Sequence, residues 1–154
     1  MKKVWIILSS IVAVVVLVVI LNQKFMFNPL SFSSDEVTYK DWSNYTYPAK
    51  IEYLYWDNKN GWTIGSESSN KKELKFIFSA MKESLEQGKI PQEEFHNSVI
   101  ERDMKLIIRR SDGLILFQFD YYEGGNIANI GNGNFIKLPS DLKDMLLEKT
   151  FNYF

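Results

Sequence analysis

From Val4 to Leu21 the sequence is apolar except for Ser9 and Ser10, with Lys2 and Lys3 ahead of the run and Asn22, Gln23 and Lys24 behind it. Coiled as a helix, such a segment is aliphatic on every side and has no face to turn to water. At about 1.5 Å per residue it would extend roughly 27 Å, close to the ~30 Å hydrocarbon layer, so it is expected to span a bilayer with little tilt. Trp5 at one end and Phe25, Met26 and Phe27 at the other fall where the two lipid-water interfaces would lie. Val4, Trp5, Leu21 and Phe25 therefore mark the ends of the expected membrane anchor.

A cleaved secretion signal has a shorter apolar part, about 7 to 15 residues, and ends in a small-x-small site. The exit from this run, Val18-Val19-Ile20-Leu21-Asn22-Gln23-Lys24-Phe25, offers no such site, and a lipoprotein signal needs a cysteine that the chain lacks. A retained, single-pass anchor is expected. Lys2, Lys3 and the amino terminus precede the run, while only Lys24 and Lys40 follow closely. The positive-inside rule then places the amino terminus in the cytoplasm and the carboxy-terminal domain outside.

With no cysteine among 154 residues, disulfides, thiolate zinc sites and thiol nucleophiles are excluded. A net charge of −1 lacks the basic footprint of a nucleic-acid binder. Beyond the anchor (residues 1–24), residues 25–45 read as a spacer: Pro29, the serines Ser31, Ser33 and Ser34, then Asp35, Glu36, Lys40 and Asp41, with no steady period. Tyr39, Trp42 and Tyr45 suggest that its later part lies against the domain. Residues 46–154 form one domain, long enough to bury most of a core without disulfides.

Alternation from Lys50 puts Ile51, Tyr53 and Tyr55 on one face of a strand and Glu52, Leu54 and Trp56 on the other. Asp57 to Gly61 reads as a turn leading to a returning strand from Trp62. The same loop fails as a calcium site, because Lys59 occupies a position that needs an oxygen. Asn70-Lys71-Lys72-Glu73 has the form of a capping box, in which Glu73 reaches back to the start of the helix. Leu74, Ile77, Phe78, Met81 and Leu85 then give one apolar stripe, and Gly88 and Pro91 end the helix at Gln87. Two strands follow about Ser111-Asp112-Gly113, with Ile115, Phe117, Phe119 and Tyr121 facing the core. Two short strands, Ile127 to Ile130 and Phe135 to Leu138, and a helix opened by Pro139 close the chain. Two strands, a helix, four strands and a helix, joined by tight turns, predict an α+β domain: a meandering antiparallel sheet with both helices on one face.

Catalytic and metal constellations are weak. Glu93 and His96 have a metal-binding spacing, but there is no second copy and no other histidine. No Gly-x-Ser-x-Gly elbow or phosphate loop occurs. Asp120 and Glu123 beside Tyr121 and Tyr122, with Glu52 on a neighbouring strand, have the residue types of a glycoside-cleaving pair and also of an ordinary solvated sheet edge. Asn44-Tyr45-Thr46 is a formal glycosylation sequon without support from its surroundings. No catalytic residue, metal or cofactor is assigned. The aromatics from Tyr39 to Trp62 exceed what one strand face can bury, and Trp42, Trp56, Trp62, Tyr53 and Tyr55 are the candidate surface for a ligand or partner.

In its layout, with Lys2-Lys3, the apolar run, one α+β domain and the ending Phe135-Ile136-Lys137-Leu138-Pro139 before a Leu-rich helix, the chain resembles small single-pass proteins of unknown function from Bacillus-type bacteria. The resemblance implies no site residues. The expected function is a membrane-anchored, extracytoplasmic, non-enzymatic module that binds an envelope protein or a cell-wall component. The alternatives are an immunity or regulatory protein acting on a membrane partner, and a glycan-acting enzyme of the envelope.

Overall fold

A computed structural model of the chain describes residues 2–91, 103–122 and 124–151, with residues 2–4, 6 and 7 described by backbone alone. The apolar run is helical throughout, as α1 (Lys2–Lys24). Among the described residues no helix is long and apolar enough to cross a membrane. In α1 the stretch with every side chain described begins only at Leu8.

Residues 25–45, which the sequence predicts as a spacer, are instead part of the domain. Phe25 bridges to Thr46. The Met26 amide donates to the Tyr45 carbonyl, and that of Tyr47 to the Lys24 carbonyl, both at 2.8 Å. Met26, Val37 and Tyr45 are buried in the main core. Asp35 fastens the strap: its Oδ1 accepts from the Val37 amide at 2.8 Å and the Thr38 amide at 2.6 Å, and Lys82 Nζ lies 2.6 Å from its Oδ2. The serine and acid clusters and the missing period mislead here because Asp and Ser satisfy a turn's own backbone, leaving the interleaved Met26, Val37 and Tyr45 free to be buried.

The strands are β1 (Ala49–Asp57), β2 (Gly61–Ser68), β3 (Lys89–Ile90), β4 (Asp103–Arg110), β5 (Ile115–Tyr122), β6 (Ile127–Asn129) and β7 (Phe135–Lys137). They form one antiparallel sheet in the order β2-β1-β4-β5-β6-β7-β3. The meander from β4 to β7 is as predicted. The two-residue β3 is an addition that pairs with β7 at the edge opposite β2. Between β2 and β3, α2 (Lys71–Gln87) crosses the sheet and buries Leu74, Ile77, Phe78, Ala80 and Met81. With α3 (Ser140–Phe151), which buries Leu142 and Leu146, it shares one core on one face of the sheet.

The bounds of α2 match the sequence reading because both ends are chemically marked. Asn70 Oδ1 accepts from the Lys72 amide at 2.9 Å, and Gly88 has φ +108°. The capping box is only half formed. Glu73 turns inward, where it accepts from the Tyr53 hydroxyl and, at 2.8 Å, from Ser68 Oγ. The Asn70 amide bonds to Ser68 Oγ instead, at 3.2 Å.

Two β-bulges set which side chains face the core. In β2, Gly65 has no partner, between the pairs Leu54 with Ile64 and Tyr53 with Ser66. Strict alternation from Trp62 and Ile64 would turn Ser66 and Ser68 outward and bury Glu67; the extra residue reverses this. Ser66 and Ser68 face inward, and Glu67 reaches Lys50 at 2.8 Å on the other face. In β5 the extra residue is Leu116, between the pairs Ile108 with Phe117 and Arg109 with Ile115. Leu116 is therefore buried and Ile115 shares the outer face with Arg109, correcting the expectation that Ile115 faces the core. The stretch around Glu93 and His96, and Glu123, lie outside the described residues.

Candidate functional site

The outer face of the sheet, opposite the helices, changes character along β1. Outward positions Lys50 and Glu52 sit at one end, Leu54 and Trp56 at the other. The first end is ionic: Glu52, 9 % exposed, lies 3.1 Å from Lys50 Nζ and 3.3 Å from Arg109 Nε, and Glu67 is the residue opposite Glu52 on β2. The second end is apolar. Trp56 faces Trp62 directly across the hairpin, with ring centroids 5.6 Å apart and planes at 80°. Ile64 opposes Leu54 on the same face.

Local chemistry fixes this hairpin. Asp57 Oδ1 accepts from the amides of Lys59 and Asn60 at 2.9 and 2.8 Å, closing the turn. Gly61 supplies φ +73° beside the Trp56 ring. An edge-to-face aromatic pair contributes about 0.5–1.5 kcal/mol beyond area burial. Packing nevertheless leaves much of the pair uncovered: Trp56 is 45 %, Trp62 39 % and Ile64 49 % exposed. Lys105 stands 4.5 Å from the Trp62 ring centroid and 3.3 Å from Asp120 Oδ1, so a cation borders the aromatic surface. Tyr122, opposite Asp103 on β4, has its phenol pushed up to about 12, by burial first and then by Asp120 and Asp103.

Of the five candidate surface residues, the structure brings together Trp56 and Trp62. Tyr53 is fully buried, with its hydroxyl on Glu73, and is not a surface residue. Tyr55 is half-buried on the core face beside Phe151, ring centroids 6.4 Å apart. Both follow from the alternation of β1, which sends Tyr53 and Tyr55 to the face opposite Trp56. Trp42, in a short 3-10 turn (Trp42–Asn44), packs at a tilt of 52° against Phe25, ring centroids 4.7 Å apart, where α1 meets the domain. From that end of β1 to Trp56 is roughly 23 Å along the strand.

The anchor-end residues divide similarly. Trp5 is 70 % exposed, Leu21 and Phe25 are half-buried, and Val4 lies in the first turn of α1. The two described carboxylates of the candidate catalytic set, Glu52 and Asp120, do not come together on the outer face. Glu52 and Asp120 stand two strands apart and two residues out of line, roughly 12 Å by sheet geometry, and each is matched to separate cations. Glycosidic cleavage needs about 5 to 9.5 Å between its carboxyl groups. Among the described residues no group of His, Asp and Glu could hold a metal ion.

A second concavity was not legible in the sequence. β5 and β6 pair only at Asp120 with Asn129 and Tyr121 with Ala128. Beyond that point a cleft of about 470 Å³ opens over Phe117 and Ile130, rimmed by Glu36, Tyr39, Gln118, Asn132 and Asn134. Its amides and phenol could hydrogen-bond a small polar molecule, although Glu36 is already 2.6 Å from Lys89 Nζ. Only the folded-back strap brings Tyr39 to Gln118, so no local signal could have found it.

No protein family, curated protein or solved structure matches the chain.

Proposed function

We propose that the chain is a membrane-anchored, non-enzymatic binding module, held by α1 with its amino terminus in the cytoplasm, whose recognition surface is the outer face of the β1-β2 hairpin. The anchor reading is supported by the surface of α1. Its large apolar side chains between Leu8 and Ile20 are 47 to 59 % exposed on every side of the helix. At a bilayer centre each Leu, Ile or Val favours insertion by about 0.3–0.6 kcal/mol, whereas one Lys or Asp opposes it by about 2.5–3.5. The run holds no charge between Lys3 and Lys24.

The observation that carries the binding reading is the joint exposure of Trp56, Trp62 and Ile64 beside Lys105. Aromatic side chains bordered by a cation suit a protein surface or another envelope component presenting apolar groups and an acid. A photoreactive benzoylphenylalanine in place of Ile64 should give a discrete crosslinked adduct in intact cells, lost in the Trp56→Ala, Trp62→Ala double variant. Absence of an adduct, or one indifferent to the double variant, would sink the reading. Release of sugars from envelope glycan by the purified full chain, abolished by Asp120→Asn, would establish the enzyme class in its place.

The tight junction of α1 with the domain favours a second reading, a regulatory or immunity protein whose helix engages a membrane partner. Replacing Val4 to Leu21 by an unrelated apolar helix separates the two, since a pure tether survives the exchange.

A further inference from the structure

After Lys24 the chain enters the domain and then comes back to α1. Met26 is buried, and Phe27 packs edge-on against Tyr45 and Phe78 at 5.1 and 5.3 Å. The chain then reverses in a turn closed by Asn28, whose Oδ1 accepts from the Leu30 amide at 2.9 Å and whose carbonyl accepts from the Ser31 amide at 3.2 Å. This turn lies beside the last turns of α1, and a groove of about 320 Å³ separates them. Leu17, Val18, Leu21 and Asn22 form one wall, and Phe27 to Leu30 the other. Leu30 is 95 % exposed, the most exposed of the large apolar residues among those described.

The groove and Leu30 make no sense against water. The groove runs along α1 from Asn22 to Leu17, and from Lys24 back to Leu17 the helix rises about 10 Å, so its far end lies that far from the charged end of the helix. Lys71 is at the same charged end, its Nζ donating to the Gln23 carbonyl at 3.2 Å. Lys24 and Lys71 at the end of the helix, an apolar groove further along it and an exposed leucine in the groove wall repeat the polarity of a phospholipid, headgroup above and chain below. Because α1 is itself one wall, the groove opens to whatever surrounds the rest of the helix.

We propose that this groove seats a phospholipid acyl chain, and that the Pro29-Leu30 turn is a second membrane contact, inserted to the boundary of headgroups and chains. The inference rests on the reading of α1 as the anchor. Two attachment points, the helix and the turn beside it, fix how the domain sits on the bilayer surface, which a lone helix leaves open.

The chain has no cysteine, so single-cysteine variants carry a nitroxide at chosen positions without further change. The full chain is placed in vesicles of phosphatidylcholine and phosphatidylglycerol, and collision with oxygen is compared with collision with a water-soluble nickel chelate. The sites are Val12→Cys in α1, Leu30→Cys in the turn and Asn58→Cys in the exposed hairpin loop. With Leu30 nearly wholly exposed, its substitution leaves the fold intact. The expected oxygen-to-nickel ratio falls in the order Val12→Cys, Leu30→Cys, Asn58→Cys, with Leu30→Cys at interfacial depth. A ratio at Leu30→Cys equal to that at Asn58→Cys, with Val12→Cys still deep, overturns the inference and leaves the anchor standing. An aqueous Val12→Cys overturns both. Dipolar broadening between labels at Leu30→Cys shows a second copy of the chain in the groove and likewise overturns the proposal.

Discussion

Gly65 and Thr150 meet backbone to backbone: a Cβ built on Gly65 would stand 2.4 Å from the Thr150 carbonyl oxygen. The last turn of α3 thus lies directly on the bulge of β2, and Ser66 Oγ adds a 2.6 Å bond to the Lys149 carbonyl. A main-chain oxygen cannot rotate aside as a side chain can. Gly65→Ala should push α3 off the sheet and cost about 1–3 kcal/mol, as overpacking in a closed core does. The denaturant midpoint of the full chain measures it; an unchanged midpoint would show that α3 gives way freely.

Thr150 also closes a buried polar pair, with Oγ1 2.7 Å from the Tyr121 hydroxyl and donating to the Leu146 carbonyl at 2.8 Å. Thr150→Val strands the phenol and should cost about 1–3 kcal/mol, while adding Tyr121→Phe removes the stranded group. The double variant is expected to be more stable than Thr150→Val alone. Additive losses in the cycle would mean that the two hydroxyls do not depend on each other.

Three buried phenols make the domain sensitive to alkali. Burial pushes Tyr45 up to about 12. Tyr53 is held higher still by burial and by donating to the Glu73 carboxylate, and Tyr121 is raised by burial. Unfolded phenols release their protons near 10. Above that value the folded state holds protons that the unfolded state has lost, so stability is intact below about pH 10 and falls as pH rises. The tyrosinate absorbance of these three should therefore appear together with loss of helix in circular dichroism. Free titration of all tyrosines in an intact fold would contradict the burial of these three.

Asp35 predicts the opposite limb. Burial alone would raise its pKa, but the bonds from Lys82 and Thr38 outweigh it and hold the carboxyl below 3.8. The folded form gives up this proton more readily than the unfolded one, so the contribution is present at neutral pH and is lost as pH falls through the folded value. Asp35→Asn should destabilise the chain at neutral pH, with the gap to the parent closing in acid. A gap independent of pH would mean that the charge does not fasten the strap.

Trp62→Ala should lower stability by the roughly 0.5–1.5 kcal/mol of the aromatic pair together with the apolar area that the half-open ring buries, yet abolish the crosslinked adduct from position 64. A large loss of stability with the adduct preserved would make the tryptophans a structural brace only.

Elements with chemistry marked at both ends were legible from the sequence. Asn70 and Gly88 bracket α2, and the Ser111-Asp112-Gly113 turn joins β4 to β5. What escaped depends on partners remote in the chain. Nothing near Gly65 announces that α3 will rest on it, and without that bulge the inward turn of Ser66 and Ser68 cannot be seen. Glu73 carries the letters of a capping box, but Tyr53 and Ser68 compete for it from the sheet. Residues 25–45 mix serines and acids with apolar residues and are buried at Met26, Val37 and Tyr45, a pattern with no period to detect. Of the candidate surface, the alternation of β1 already separated Tyr53 and Tyr55 from Trp56. The distance from Trp42 to the hairpin required the fold.

The bonds that tie Lys24 to Tyr47 and Phe25 to Thr46 run straight into β1, whose far end carries Trp56. Helix and strand therefore share one joint with little slack. A tilt of α1 by ten degrees or so, which the proposed anchoring would allow, would swing the tryptophan pair by several ångströms, as the tip of a lever. The orientation of the helix in its surroundings and the position of the tryptophan pair become a single mechanical variable.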